Sequence, residues 1–193
     1  MQRILASPAA PPPAHHGEGP TWDAGRGELL WVDITAGLVR RAVVDPAGEL
    51  RESAAPAKGG GTVGFVVPAA AGGWLLGADG GFTHLTEDGM AQVLIDLAGE
   101  GGTEESGGTR MNDGGCDRAG RFFAGTMAFD ERPGAGSLYR LDLDGTVTTV
   151  RDGLTSAPAS SRATTSGSSC AASSSWKVAA RLPFCGGEPS RRW

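Results

Sequence analysis

The residue types in this chain that could do chemistry gather in one stretch, RMNDGGCDRAGRFFAGTMAFDERPGAGSLYR, residues 110–140. Arg110, Asn112 and Asp130 offer a guanidinium, an amide and a carboxylate. Each falls where a strand meets a polar loop, the place where side chains from different elements can converge on one site. Asn112-Asp113-Gly114 reads as a tight turn, since Asn and Asp tolerate positive φ and Gly has no Cβ to oppose it. A strand over 121–127 follows, then a Pro/Gly loop over 130–136 and a further strand over 137–142. Far upstream, Glu18 lies in His16-Gly17-Glu18-Gly19-Pro20. By itself Glu18 reads as an exposed loop acid, and Asp130, with Glu131 beside it, as a loop acid that needs no function. The glycine runs lack the Lys-Ser/Thr of a phosphate loop, and the serine runs lack the context of a nucleophile elbow.

The elements that must carry these residues are β-strands. Apolar runs at 28–34, 38–44, 62–67, 74–78, 82–86 and 92–95 are separated by strong turn signals, among them Asp45-Pro46-Ala47-Gly48, Asp88-Gly89 and Asp144-Gly145. No amphipathic helix is legible. Glycine makes up 32 of 193 residues, well above the usual ~7%. A turn glycine followed by a bulky apolar run recurs at Gly27, Gly73 and Gly120, at spacings of 46 and 47 residues. Four short strands repeated every ~40–50 residues is the period of a β-propeller blade. The expected fold is therefore an all-β propeller with about three blades between Gly17 and Thr155; a solenoid fits less well, its repeats being shorter or helical.

Three segments also carry a family resemblance: GEGPTWDAGRGELLWVDI (17–34), RMNDGGCDRAGRFFAGTMAFD (110–130) and LYRLDLDGTVTTVRDGLT (138–155). They resemble the gluconolactonase/regucalcin family, also called the senescence marker protein family, over residues 15 to 155. The resemblance implies a six-bladed propeller that hydrolyses a sugar lactone with one divalent metal, calcium or zinc, held at the ring axis by a Glu, an Asn and an Asp. It places Glu18 at the metal-binding Glu and Arg110 and Asn112 at the substrate-binding pair, with Asp130 where some members put a substrate-contacting acid. A bound cation would polarise the ester carbonyl, and oxygen ligands suit a hard cation. The remaining metal ligands and the catalytic Asp have no counterpart: no Asn follows Asn112 and no Asp follows Asp152. The metal site is thus expected to be incomplete and the chain weakly active or inactive. Two alternatives from other classes are a non-catalytic half-propeller that acts as a binding module, and a calcium-binding regucalcin-like protein.

The resemblance stops at Thr155. Residues 156–193 hold ten serines against four in the first 155, and a net charge of +4 against −9. That composition predicts an unstructured tail, and the abrupt change points to a shifted reading frame. Residues 1–14, rich in Pro and Ala, read as a flexible lead-in. The formal charge of −5 gives no case for nucleic acid. No run approaches the ~20 apolar residues of a membrane span, and Ile4 to Ala6 is too short for a signal peptide, so a cytoplasmic location is expected. Three blades cannot close a ring, and open sheet edges predict self-association.

Overall fold

The computed structural model describes residues 12–156 apart from Ala98 and Arg118; the predicted tail from 157 on, and the lead-in up to 11, lie outside the described residues. Strands and turns account for the whole of the described chain, and no helix in it is long and apolar enough to cross a membrane. The strands form three antiparallel meanders. The first sheet runs β1 (Gly17–Asp23), β2 (Glu28–Asp33), β3 (Leu38–Val44) and β4 (Leu50–Glu52), with the short β5 (Ala57–Lys58) also on β3. The second runs β6 (Val63–Pro68), β7 (Trp74–Ala78), β8 (Gly81–Leu85) and β9 (Ala91–Asp96). The third runs β10 (Thr109–Cys116), β11 (Phe122–Ala128), β12 (Gly136–Leu141) and β13 (Val147–Leu154).

The glycine repeat has a direct cause. Gly27, Gly73 and Gly120 occupy the first hairpin of each sheet at φ of 67°, 68° and 80°, a region that costs other residues strain. The last hairpins of the second and third sheets use the Asp-Gly turns, with Gly89 and Gly145 both at φ 87°.

The sheets stack face to face, and the middle one is buried on both sides. That is why β7 reads as the unbroken apolar run WLLGA, with every residue buried. Its Trp74, Leu76 and Ala78 pack against Leu30, Val32, Ile34 and Val39 of the first sheet. Its Leu75, with Phe65 and Phe82, packs against Met111, Phe122, Ala124 and Leu141 of the third. Phe65 lies 4.9 Å from Phe122 and 6.5 Å from Phe82, centroid to centroid. Gly77 makes room for this cluster, since a Cβ there would come within 1.9 Å of the Phe65 ring. At the first interface the guanidinium groups of Arg26 and Arg41 lie over the Trp74 ring, at 4.8 and 4.6 Å from its centre. Arg26 is itself held by Asp23 at 2.9 Å and by Glu87.

One sequence expectation is overturned. Asn112-Asp113-Gly114 is not a turn but the middle of β10. The hairpin lies further on, where Gly120 N–H donates to Asp117 O at 3.1 Å and Asp117 N–H to Arg121 O at 2.9 Å. Gly114 serves packing instead: a Cβ on it would press on Phe65 and Phe122 at 2.6 and 2.7 Å. The strands β1, β4 and β5 were also not legible. In β1 the residues Gly17, Gly19 and Pro20 read as loop, yet it is an outer member of its sheet's strand order, where proline withholds no ladder hydrogen bond.

Candidate functional site

The first strands of the three sheets, β1, β6 and β10, lie beside one another. Backbone bonds tie the sheets together there: Val63 N–H donates to Ile34 O at 3.1 Å, and Met111 N–H to Asp79 O at 3.0 Å. Each of the three strands is interrupted at the corresponding place. The register slips between Glu18 and Thr21 in β1, between Val63 and Phe65 in β6, and between Met111 and Asp113 in β10. A bulge adds one residue and re-aims the side chains around it. Gly19, at φ 61°, supplies the left-handed residue in β1. Gly64 is the extra residue of β6, and a Cβ there would stand 2.4 Å from Met111 O and 2.9 Å from Asn112 N. Its bareness is what lets β6 and β10 approach.

The bulges open onto a cleft of about 300 Å³ lined by His16, Glu18, Pro20, Gly64, Asn112 and Asp113, among others. Glu18 and Asn112, distant in sequence, thus face one space. Glu18 is exposed. Asn112 is partly buried; its Nδ2 donates to Ser156 Oγ at 3.3 Å, and its Oδ1 accepts a long contact of 3.5 Å from Arg110 Nη1. Arg110 lies behind Asn112 and is only 8% exposed, with Nη1 also donating to Met111 O at 3.2 Å. Burial pulls its guanidinium below the usual value, and the Glu131 carboxylate opposes that pull. Arg110 and Asn112 lie two residues apart on β10, and the bulge between Met111 and Asp113 re-aims the side chains around it.

Asp130 is placed differently. It is exposed and turned into its own loop, where its Oδ1 accepts from Arg132 N–H at 3.2 Å and Arg132 Nη1 at 2.9 Å. Those bonds, the backbone one foremost, hold its carboxyl below the usual range. The neighbouring Glu131, at φ 57°, is the acid whose charge Arg110 feels. Nothing in the sequence distinguishes the two acids; the backbone turn does. Two cleft residues, His16 and Asp113, were not singled out as site residues from sequence. The chain segment carrying His16 is anchored by Asp33, whose carboxylate accepts from His15 N–H at 2.7 Å and His16 N–H at 2.9 Å.

Glu18 and Asn112 offer oxygen atoms of the type that suits a hard cation. Calcium needs about six to eight such ligands, and among the described residues no cluster of three or more His, Cys, Asp or Glu side chains is placed to hold an ion. The described residues therefore do not by themselves fit a divalent metal.

Comparison with known proteins places this architecture. The sequence pattern of the SMP-30/gluconolactonase/LRE-like region matches residues 16–160. The pentonolactonase XacC of Haloferax volcanii is 36% identical over 143 residues, 72% of this chain and 43% of that protein. Regucalcin of Danio rerio is 37% identical over 133 residues, 68% of this chain and 42% of that protein. A solved luciferin-regenerating enzyme superposes with a TM-score of 0.58 at 27% identity, covering 71% of this chain and 45% of its own. The chain thus spans less than half the length of these relatives. With three four-stranded β-meanders stacked as propeller blades and a match across most of its length, the chain belongs to the SMP-30/gluconolactonase/LRE-like family.

Proposed function

We propose that the cleft binds a sugar lactone and forms the substrate-side part of a gluconolactonase-type hydrolytic centre. The observation that carries this reading is that Glu18 and Asn112 line one cleft beside matching bulges in neighbouring strands, with Arg110 buried behind Asn112 and in contact with its Oδ1. The relatives support the substrate class: one is named a pentonolactonase, and a Bacillus subtilis relative, 31% identical over 138 residues, a putative sugar lactone lactonase.

In this reading Asn112 donates and accepts hydrogen bonds with ring hydroxyls at the cleft wall. Arg110, buried behind Asn112, orients that amide through its contact with Oδ1, and its charge, largely stripped of water, attracts the carbonyl oxygen of the bound lactone in its ground state. Glu18 accepts from a further hydroxyl at the opposite wall. No step is assigned to a metal, because the described residues offer too few ligands. The chain accordingly binds the sugar ring but does not raise hydrolysis above the spontaneous rate.

Calorimetric titration with 1,5-anhydroglucitol, a ring analogue that cannot hydrolyse, tests the binding half. Saturable binding that Asn112→Ala weakens by about tenfold or more is expected, the loss of one or two polar contacts. Binding unchanged by Asn112→Ala and by Arg110→Lys would remove the assignment. Proton release from glucono-1,5-lactone with added calcium or zinc tests the other half, and metal-dependent hydrolysis by the purified chain would overturn it.

A further inference from the structure

The chain has three histidines, and their rings differ in what they touch. The His15 ring meets Thr35 Oγ1 at 3.0 Å, and the His84 ring meets Gly72 O at 2.9 Å. The hydrogen bonds of His16 to described residues run through its backbone instead: its N–H donates to Asp33 Oδ1 at 2.9 Å, and its carbonyl accepts from Ile34 N–H at 2.9 Å. Both bonds go to the end of β2, so the direction in which the side chain leaves the backbone is set before any ligand arrives. His16 is partly buried and lines the cleft together with Glu18, two residues further on, as alternation along an extended chain allows. The ring is therefore held at the cleft by its backbone and bonds to no described residue.

We propose that the His16 imidazole is a further sugar-binding group of this cleft, hydrogen-bonded to a ring hydroxyl beside the one that Glu18 takes; this rests on the lactone reading of the cleft. The balance of donors supports it. A sugar hydroxyl both donates and accepts, and a carboxylate satisfies only its donor side. Among the polar side chains lining the cleft, Glu18 and Asp113 offer carboxylates, and Asp113 Oδ1 already accepts from Gly114 N–H at 2.8 Å. Asn112 gives one hydrogen of its amide to Ser156 Oγ, and its Oδ1 faces Arg110. An imidazole carries one donor and one acceptor when neutral and two donors when charged, so His16 supplies what the carboxylates lack. A side chain whose backbone is already fixed also loses less freedom on engaging a ligand.

Proton NMR of the full chain reads the imidazole Cε1–H signals directly, and the signal that His16→Ala removes belongs to His16. Added 1,5-anhydroglucitol should move that signal saturably, with the dissociation constant found by calorimetry. The signal of His84, whose ring is tied to Gly72 O, should stay in place. His16→Ala should weaken binding of the analogue about tenfold, the loss of one polar contact. His16→Gln, which keeps a donor and an acceptor, should recover part of that loss. If the analogue binds and the His16 signal stays still, or if His16→Ala binds it as tightly as the parent, the proposal is overturned and the assignment of Glu18 and Asn112 stands. A weakened analogue with a lowered urea midpoint and a still signal would mark a structural role for His16 and overturn it equally. If the analogue does not bind the parent chain at all, the lactone reading and this proposal fall together.

Discussion

Replacing Gly64 by Ala should damage the chain out of proportion to one methyl group. The new Cβ would stand 2.4 Å from Met111 O, 2.5 Å from Met111 C and 2.9 Å from Asn112 N, all backbone atoms. Ordinary contact begins near 3.4 Å, so β6 and β10 must part by roughly 1 Å, as overpacked elements do. Neither side can yield by a rotamer change. Overpacking costs typically about 1–3 kcal/mol, and backbone-on-backbone contact belongs at the upper end. Ala returns about 0.4–1 kcal/mol by restricting the unfolded chain. The expected net loss is about 2 kcal/mol, a fall in the urea midpoint of about 1 M at a typical slope. Gly115→Ala is the matched control. It lies in β10 itself, has nothing within 4 Å of the added Cβ, and does not have a left-handed φ. It should be neutral or stabilising by a few tenths of a kcal/mol, up to about 1. Tryptophan fluorescence against urea measures both. Equal effects of the same sign would refute the argument that close approach of the inner strands, rather than glycine flexibility, is what position 64 supplies. The displaced atoms belong to Met111 and Asn112, so Gly64→Ala should also weaken binding of the ring analogue.

Three further outcomes are expected. Tyr139 is the single tyrosine of the chain; burial, and then its hydrogen bond of 2.6 Å to Glu100, push its phenol up to about 12. Its phenolate absorbance should therefore rise around pH 12 in the folded chain and around 10 in urea. Because the folded value is the higher one, the associated stability is complete below pH ~10 and lost as pH rises through the folded value; a folded midpoint near 10 would contradict the burial. For Asp33, burial would raise the carboxyl, but the His16 and His15 N–H groups outweigh it and hold it below its ordinary 3.8. That contribution is complete above pH ~3.9 and lost as pH falls through the lower folded value. Asp33→Asn should then cost about 1–2 kcal/mol at pH 7 and progressively less in acid, a gap that urea midpoints at pH 7 and pH 3 would show closing. Gly77→Ala, which drives a Cβ to 1.9 Å from the Phe65 ring, should lower the urea midpoint, though by less than a backbone clash would if Phe65 can rotate; an unchanged midpoint would mean that the aromatic cluster does not need that gap.

How much was legible depends on the range of the interaction. Turn chemistry is local, and so the hairpins of Gly27, Gly73, Gly120, Gly89 and Gly145 were readable from neighbouring residues alone. The doubly buried β7 was readable because burial on both faces writes itself as an unbroken apolar run. The Asn112-Asp113-Gly114 stretch was misread for the complementary reason. The same three residue types suit a turn and a strand that must admit two phenyl rings over a bare backbone, and only the rings of Phe65 and Phe122, from two different sheets, decide between them.

For the candidate site, sequence by itself determined the chemical types and the elements: an acid in Glu18, an amide in Asn112 and a guanidinium in Arg110, each on or beside the first strand of a four-stranded unit. Tertiary structure decided their company. The bulges are properties of strand pairing, so no single strand shows where its register slips. The approach of β6 to β10 at Gly64 is a contact between sheets whose reason lies in Met111 and Asn112, almost fifty positions away. Whether Asp130 or Glu131 answers to Arg110 turned on one left-handed backbone angle and one ion pair to Arg132. Residue identity limits what a side chain can do; only the packing of distant strands determines which other side chain it can do it with.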